Sequence, residues 1–70
     1  MSTMIGITVN GEKLERAEGT TVTALLSSLG LQPGRVAVEV DGRIVRQPDW
    51  EQTVLSPGAR VEIVQFVGGG

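Results

Sequence analysis

The chain is 70 residues long, about 7.4 kDa, which is enough for one small domain and too little for two. Lys plus Arg number 6 against 8 for Asp plus Glu, a net charge of −2 that would not steer the chain toward nucleic acid or an anionic membrane. Cys and His are both absent, so disulfides, thiolate nucleophiles, Ser-His and Cys-His arrangements and most transition-metal sites are excluded.

From the N-terminus, Met4 to Val9 alternates, with Ile5, Ile7 and Val9 on one face and Gly6 and Thr8 on the other, the pattern of a half-buried strand. Asn10-Gly11 then signals a tight hairpin turn, in which both central residues need positive φ. The return strand, Glu12 to Ala17, is mostly charged around Leu14 and suits a sheet edge. After Glu18-Gly19 the period changes. Val22, Leu25, Leu26 and Leu29 form one apolar stripe of a helix about ten residues long. Thr20 or Thr21 can cap its start, and Gly30 fits the left-handed position after its end, with Leu31 packing back on the last turn.

Beyond Pro33-Gly34, Arg35 to Val40 alternates again, with Val36, Val38 and Val40 on one side. Asp41-Gly42 turns the chain into a short Arg43 to Arg46 segment. Pro48 to Thr53 is irregular, Trp50 is expected to cover the edge of the core, and Ser56-Pro57-Gly58 makes another turn. The last strand, Ala59 to Val67, places Val61 and Ile63 inward and Glu62, Val64 and Phe66 outward. Val and Ile together number 14 against 6 Leu, which favours strands over helices. The expected fold is α+β, in ββαββ order: a mixed sheet with one helix on one face and the first and last strands parallel at its centre. That is the β-grasp arrangement of ubiquitin-like domains, a single domain over 1–67 followed by a flexible glycine tail over 68–70.

Side-chain chemistry is sparse. Asp49 and Glu51, and Glu12, Glu15 and Glu18, read as solvated surface, since a thin sheet-plus-helix domain offers them no pocket. Ser27 and Ser28 have no base to activate them. Arg35, Arg43, Arg46 and Arg60 are scattered among acids without aromatic interleaving, unlike an oligonucleotide surface. The longest apolar runs, Ala24-Leu25-Leu26 and Val36-Ala37-Val38, fall far short of a signal-peptide core or a spanning helix. The chain is therefore expected to be cytoplasmic, a monomer when free, with neither nucleic acid nor membrane as partner.

What remains is Gly68-Gly69-Gly70. Three glycines after a strand can be simply a frayed end. Here, however, the preceding strand is expected to be central, so the root of the tail is fixed. Val67 to Gly70 can reach about 13 Å when extended. Without a Cβ, glycine can thread a slot only as wide as a backbone. Such a tail can present the terminal carboxylate of Gly70 to another protein. A carboxylate is ionised at neutral pH and a poor electrophile, so it must be activated, most simply as an acyl-adenylate made from ATP. Val64 and Phe66, with Val67 at the root of the tail, form the expected partner-docking surface.

Val9-Asn10-Gly11, the Thr21-Val22 to Leu29 helix, Val36-Ala37-Val38-Glu39-Val40 with Asp41-Gly42, Trp50, and Val61-Glu62-Ile63-Val64 with Val67-Gly68-Gly69-Gly70 together resemble the ThiS family of sulfur carriers in bacterial thiamine biosynthesis. The resemblance covers nearly the whole chain after Met4. It implies that Gly70 is adenylated by an E1-like enzyme using ATP and Mg²⁺, that sulfur from a persulfide donor converts it to a thiocarboxylate, and that thiazole synthase takes that sulfur. The chain would be a protein co-substrate, not an enzyme, and would bind no cofactor or metal itself. Ser56-Pro57-Gly58-Ala59 departs from the acidic turn often found in the family, and Met1 to Thr3 is an extra lead-in. The alternatives are the small subunit of molybdopterin synthase or another thiocarboxylate carrier, and a non-covalent ubiquitin-like interaction module.

Overall fold

The computed structural model describes residues 3–66. Six elements make up the frame: strands β1 (Met4–Val9) and β2 (Glu12–Ala17), helix α1 (Val22–Ser28), and strands β3 (Val36–Val40), β4 (Arg43–Val45) and β5 (Arg60–Gln65). The segment after Asp41-Gly42 pairs as a strand in its own right, so the mixed sheet has five strands in the order β2-β1-β5-β3-β4. The last strand of the chain is the middle strand of the sheet, parallel to β1 and antiparallel to β3.

Both hairpins turn as their residue pairs require. Asn10 and Gly11 have φ of 50° and 85°, and Asp41 and Gly42 have 52° and 83°. Each turn also grips β5 through its first residue. The Asn10 amide accepts from the Ile63 N–H at 2.7 Å and donates to the Ile63 carbonyl at 3.1 Å, while the Asp41 carboxylate accepts from the Arg60 N–H at 2.9 Å. The two turns thus reach β5 from opposite sides.

The helix begins at Thr21, whose hydroxyl accepts from the Ala24 N–H at 3.1 Å. It ends in a Schellman motif. Gly30 N–H donates to Ser27 and Leu31 N–H to Leu26, both at 3.1 Å, with Gly30 at φ 72°. Together the two caps hold α1 to 7 residues, shorter than the apolar stripe suggests, with Leu29 serving as the cap residue. Two turns of helix are marginal alone, so burial of Val22, Leu25 and Leu26 keeps it formed.

Those side chains meet Ile5, Ile7, Val9, Val36, Val38, Val61 and Ile63 from the inner face of the sheet. Leu55 and Ala59 close the core, together with Trp50, which is 4% exposed and donates its indole N–H to the Val45 carbonyl at 2.8 Å. Three strands depart from the bounds expected from the sequence. Strand β5 begins at Arg60 rather than Ala59 and ends at Gln65, so Phe66 follows it. Arg35 belongs to a 3₁₀ turn over Pro33–Arg35, its N–H donating to Gln32, because Pro33 sets the turn before the strand can start. Arg46 lies beyond β4, which ends at Val45.

Candidate functional site

The site is the end of β5 and the surfaces beside it. Even-numbered residues of β5 bond to the β3 side: Arg60 to Asp41 at one end, and Phe66 N–H to the Arg35 carbonyl at 2.8 Å at the other. Phe66 follows the last residue of β5 but is still held by that bond. The root of the tail is therefore anchored in the centre of the sheet through Phe66. The tail residues singled out above, Gly68, Gly69 and Gly70, and Val67 from the docking set, lie outside the described residues.

Val64 and Phe66 are exposed, at 60% and 56%. Val64 stands on the outer face, directly across from Ala37 of β3. Sequence reasoning missed a third apolar side chain there. Ile44, 75% exposed, faces Glu39 across the β3–β4 pair, which puts it on the same outer face as Val64. A three-residue strand shows no period of its own; it is the packing of Val45 against the core that turns Ile44 outward. Between Ile44 and Val64 lie Glu39 and Glu62, directly opposite each other across β3 and β5. Like charges in that position weaken a sheet. The outer face thus carries Ile44 and Val64 beside this acidic pair at its β3–β5 end, and Thr8, Lys13, Glu15 and Arg60 toward β1 and β2.

On the inner side of β5, past the point where β1 turns away, Val9, Asn10, Leu29, Leu31, Ile63 and Gln65 line a groove of about 260 Å³. Elsewhere, a depression of about 410 Å³ sits over Gly6 on the β1–β2 hairpin, where the missing side chain leaves a hollow. Among the described residues, Asp and Glu do not gather into groups of three that could hold a metal ion, and no helix is long and apolar enough to cross a membrane. Ser27 and Ser28 lie at the end of α1; Ser28 donates its hydroxyl to the Leu25 carbonyl and accepts from Arg16, a structural use.

Comparison with known proteins matches residues 6–70 to the ThiS family. The sulfur carrier protein ThiS of Escherichia coli is 28% identical over 64 residues, covering 91% of this chain and 97% of that one. The thiazole synthase of Paramagnetospirillum magneticum is 39% identical over 64 residues, but this chain spans only 20% of its length. The crystal structure of a thiamine biosynthesis protein (ThiS) from Geobacter metallireducens superposes with a TM-score of 0.81 at 36% identity, covering 94% of this chain and 100% of that one.

Proposed function

The chain belongs to the ThiS family, and from that premise we propose that it is a sulfur carrier for the thiazole moiety of thiamine. The observation that carries this reading is the position of β5, a central strand whose end is held at Phe66 and is followed in the sequence by Val67 and Gly68-Gly69-Gly70. A carrier of this kind needs a rigid handle and a slender end, and no catalytic side chain of its own. The Gly70 carboxylate would attack the α-phosphate of ATP in an E1-like adenylating enzyme that holds Mg²⁺, releasing pyrophosphate. A persulfide sulfur then displaces AMP, and thiol cleavage of the resulting S–S bond leaves the terminal thiocarboxylate. Sulfur rides on the acyl carbon, which is compatible with a chain lacking Cys.

Thiazole synthase is the acceptor on this reading. Its support is that a segment similar to this chain occurs within longer proteins named thiazole synthase, from Paramagnetospirillum magneticum and Magnetococcus marinus. The chain itself acts as co-substrate, binds no cofactor, and works in the cytoplasm as a monomer when free. Its intact mass, after incubation with an E1-like enzyme, ATP, a persulfide source and a thiol, is expected to rise by the difference between sulfur and oxygen. An unchanged mass with a partner shown to be active would leave the domain as a non-covalent interaction module.

Docking of the partner falls to Val64 and Phe66 on the outer face, with Val67 beside them. Phe66→Ala is expected to raise the KM for adenylation about tenfold, the effect of removing one aromatic anchor from an interface. Its melting temperature should be unchanged, because the ring is exposed and the Phe66 backbone bond survives. Identical adenylation kinetics at limiting enzyme would remove Phe66 from the interface.

A further inference from the structure

The inner flank of β5 carries a ladder that stops short of the strand's end. Bonds to β3 take the even residues, so the N–H and C=O groups of Val61, Ile63 and Gln65 point toward β1. The Val61 carbonyl accepts from the Asn10 N–H at 2.8 Å. Ile63 finds no strand beside it, because β1 has already turned; the Asn10 amide takes the place of a peptide group and bonds both its N–H and its C=O. At Gln65 the series ends. Among the described residues nothing bonds its backbone N–H or C=O from that side, and the groove of Val9, Leu29, Leu31 and Ile63 lies alongside.

We propose that this open edge is a strand-docking site for the adenylating enzyme: an extended segment of that partner adds beside β5 at Gln65. The inference rests on the carrier reading above. The chemistry of the edge selects the occupant. An unpaired N–H and C=O at ladder spacing are complemented by a peptide backbone, which supplies one acceptor and one donor at the same spacing. The adjoining groove accepts an apolar side chain from the added strand, which projects to the helix side as Ile63 and Val61 do.

Proline at position 65 isolates the backbone contribution. It removes only an N–H that no described residue bonds, since Gln65 faces Val36 at a position bonded on neither strand toward the other. With a wild-type chain that the E1-like enzyme adenylates, Gln65→Pro is expected to raise the KM about tenfold, whereas Gln65→Ala, which keeps the N–H, stays within about twofold. Amide hydrogen exchange on the wild-type chain provides a readout independent of any variant's folding. The Gln65 amide should exchange freely in the isolated protein and at least about tenfold more slowly with the enzyme bound. Equal exchange in both states, or equal losses for Gln65→Pro and Gln65→Ala, would overturn the strand-docking proposal and leave the carrier reading standing. A wild-type chain that is not adenylated at all would mean that the carrier reading itself has failed, and this inference with it.

Discussion

Trp50→Ala is expected to remove most of the stability of this protein. The indole is almost wholly buried and closes the core beside α1. Truncating a buried aromatic to alanine costs about 3–5 kcal/mol, whereas a domain of this length has only about 4–10 kcal/mol in total. The loss has a second component, because the Val45 carbonyl forfeits the indole N–H that it accepts at 2.8 Å. Trp50→Phe separates the two: it keeps most of the apolar volume and should cost about 1–3 kcal/mol, chiefly for the orphaned carbonyl. Urea unfolding followed by circular dichroism measures both. A loss below about 1 kcal/mol for the alanine variant would mean that the ring contributes little packing, contrary to its burial.

Deleting Gly69 and Gly70 should have the opposite profile, with the fold untouched and the chemistry abolished. Glycine brings no side chain to a core, and the core among the described residues ends at Ile63, so the unfolding midpoint should match that of the full chain. The new terminus at Gly68 falls short by two residues, about 7 Å of extended chain. Misplacing a reacting atom by even about 1 Å can cost about a hundredfold in rate, so thiocarboxylate should be undetectable by intact mass. Binding of the truncated chain to the adenylating enzyme through Val64 and Phe66 should persist and can be followed by competition with the full chain. Sulfur transfer by the truncated chain would rule out a role for Gly70.

Most of the frame could be read from the sequence because it is encoded locally. Alternation over Met4 to Val9, the Asn10-Gly11 and Asp41-Gly42 turns, and the stripe from Val22 to Leu29 each specify their own element. The site was legible only in part. Val64 and Phe66 follow from the period of one strand, but Ile44 sits in a three-residue strand too short to show a period. Asn10 reads as a turn residue and nothing more. Its second role, as a stand-in for a peptide group at Ile63, depends on where β1 stops relative to a strand 53 residues later. The open flank at Gln65 follows from that same stop. No local pattern reports a register between two ends of a chain. Trp50 shows both sides of this: its place over the edge of the core is read from the sequence, but its indole bond to the Val45 carbonyl depends on where β4 stops, which no local pattern reports.

The middle position of β5 also governs how the molecule is assembled as it is synthesised. The hairpins β1–β2 and β3–β4 do not pair with each other; each is joined to the sheet only through β5. Both can form while the chain is still growing, since their contacts are local. Neither can bury its inner face in a completed core until residues 60–65, the last part of the frame to be translated, have inserted between them. A nascent chain therefore carries two unjoined half-sheets until that segment leaves the ribosome. During this interval the flanks of β1 and β3 that will later receive β5 are bare, which makes the time before residues 60–65 emerge the moment of greatest exposure to mispairing.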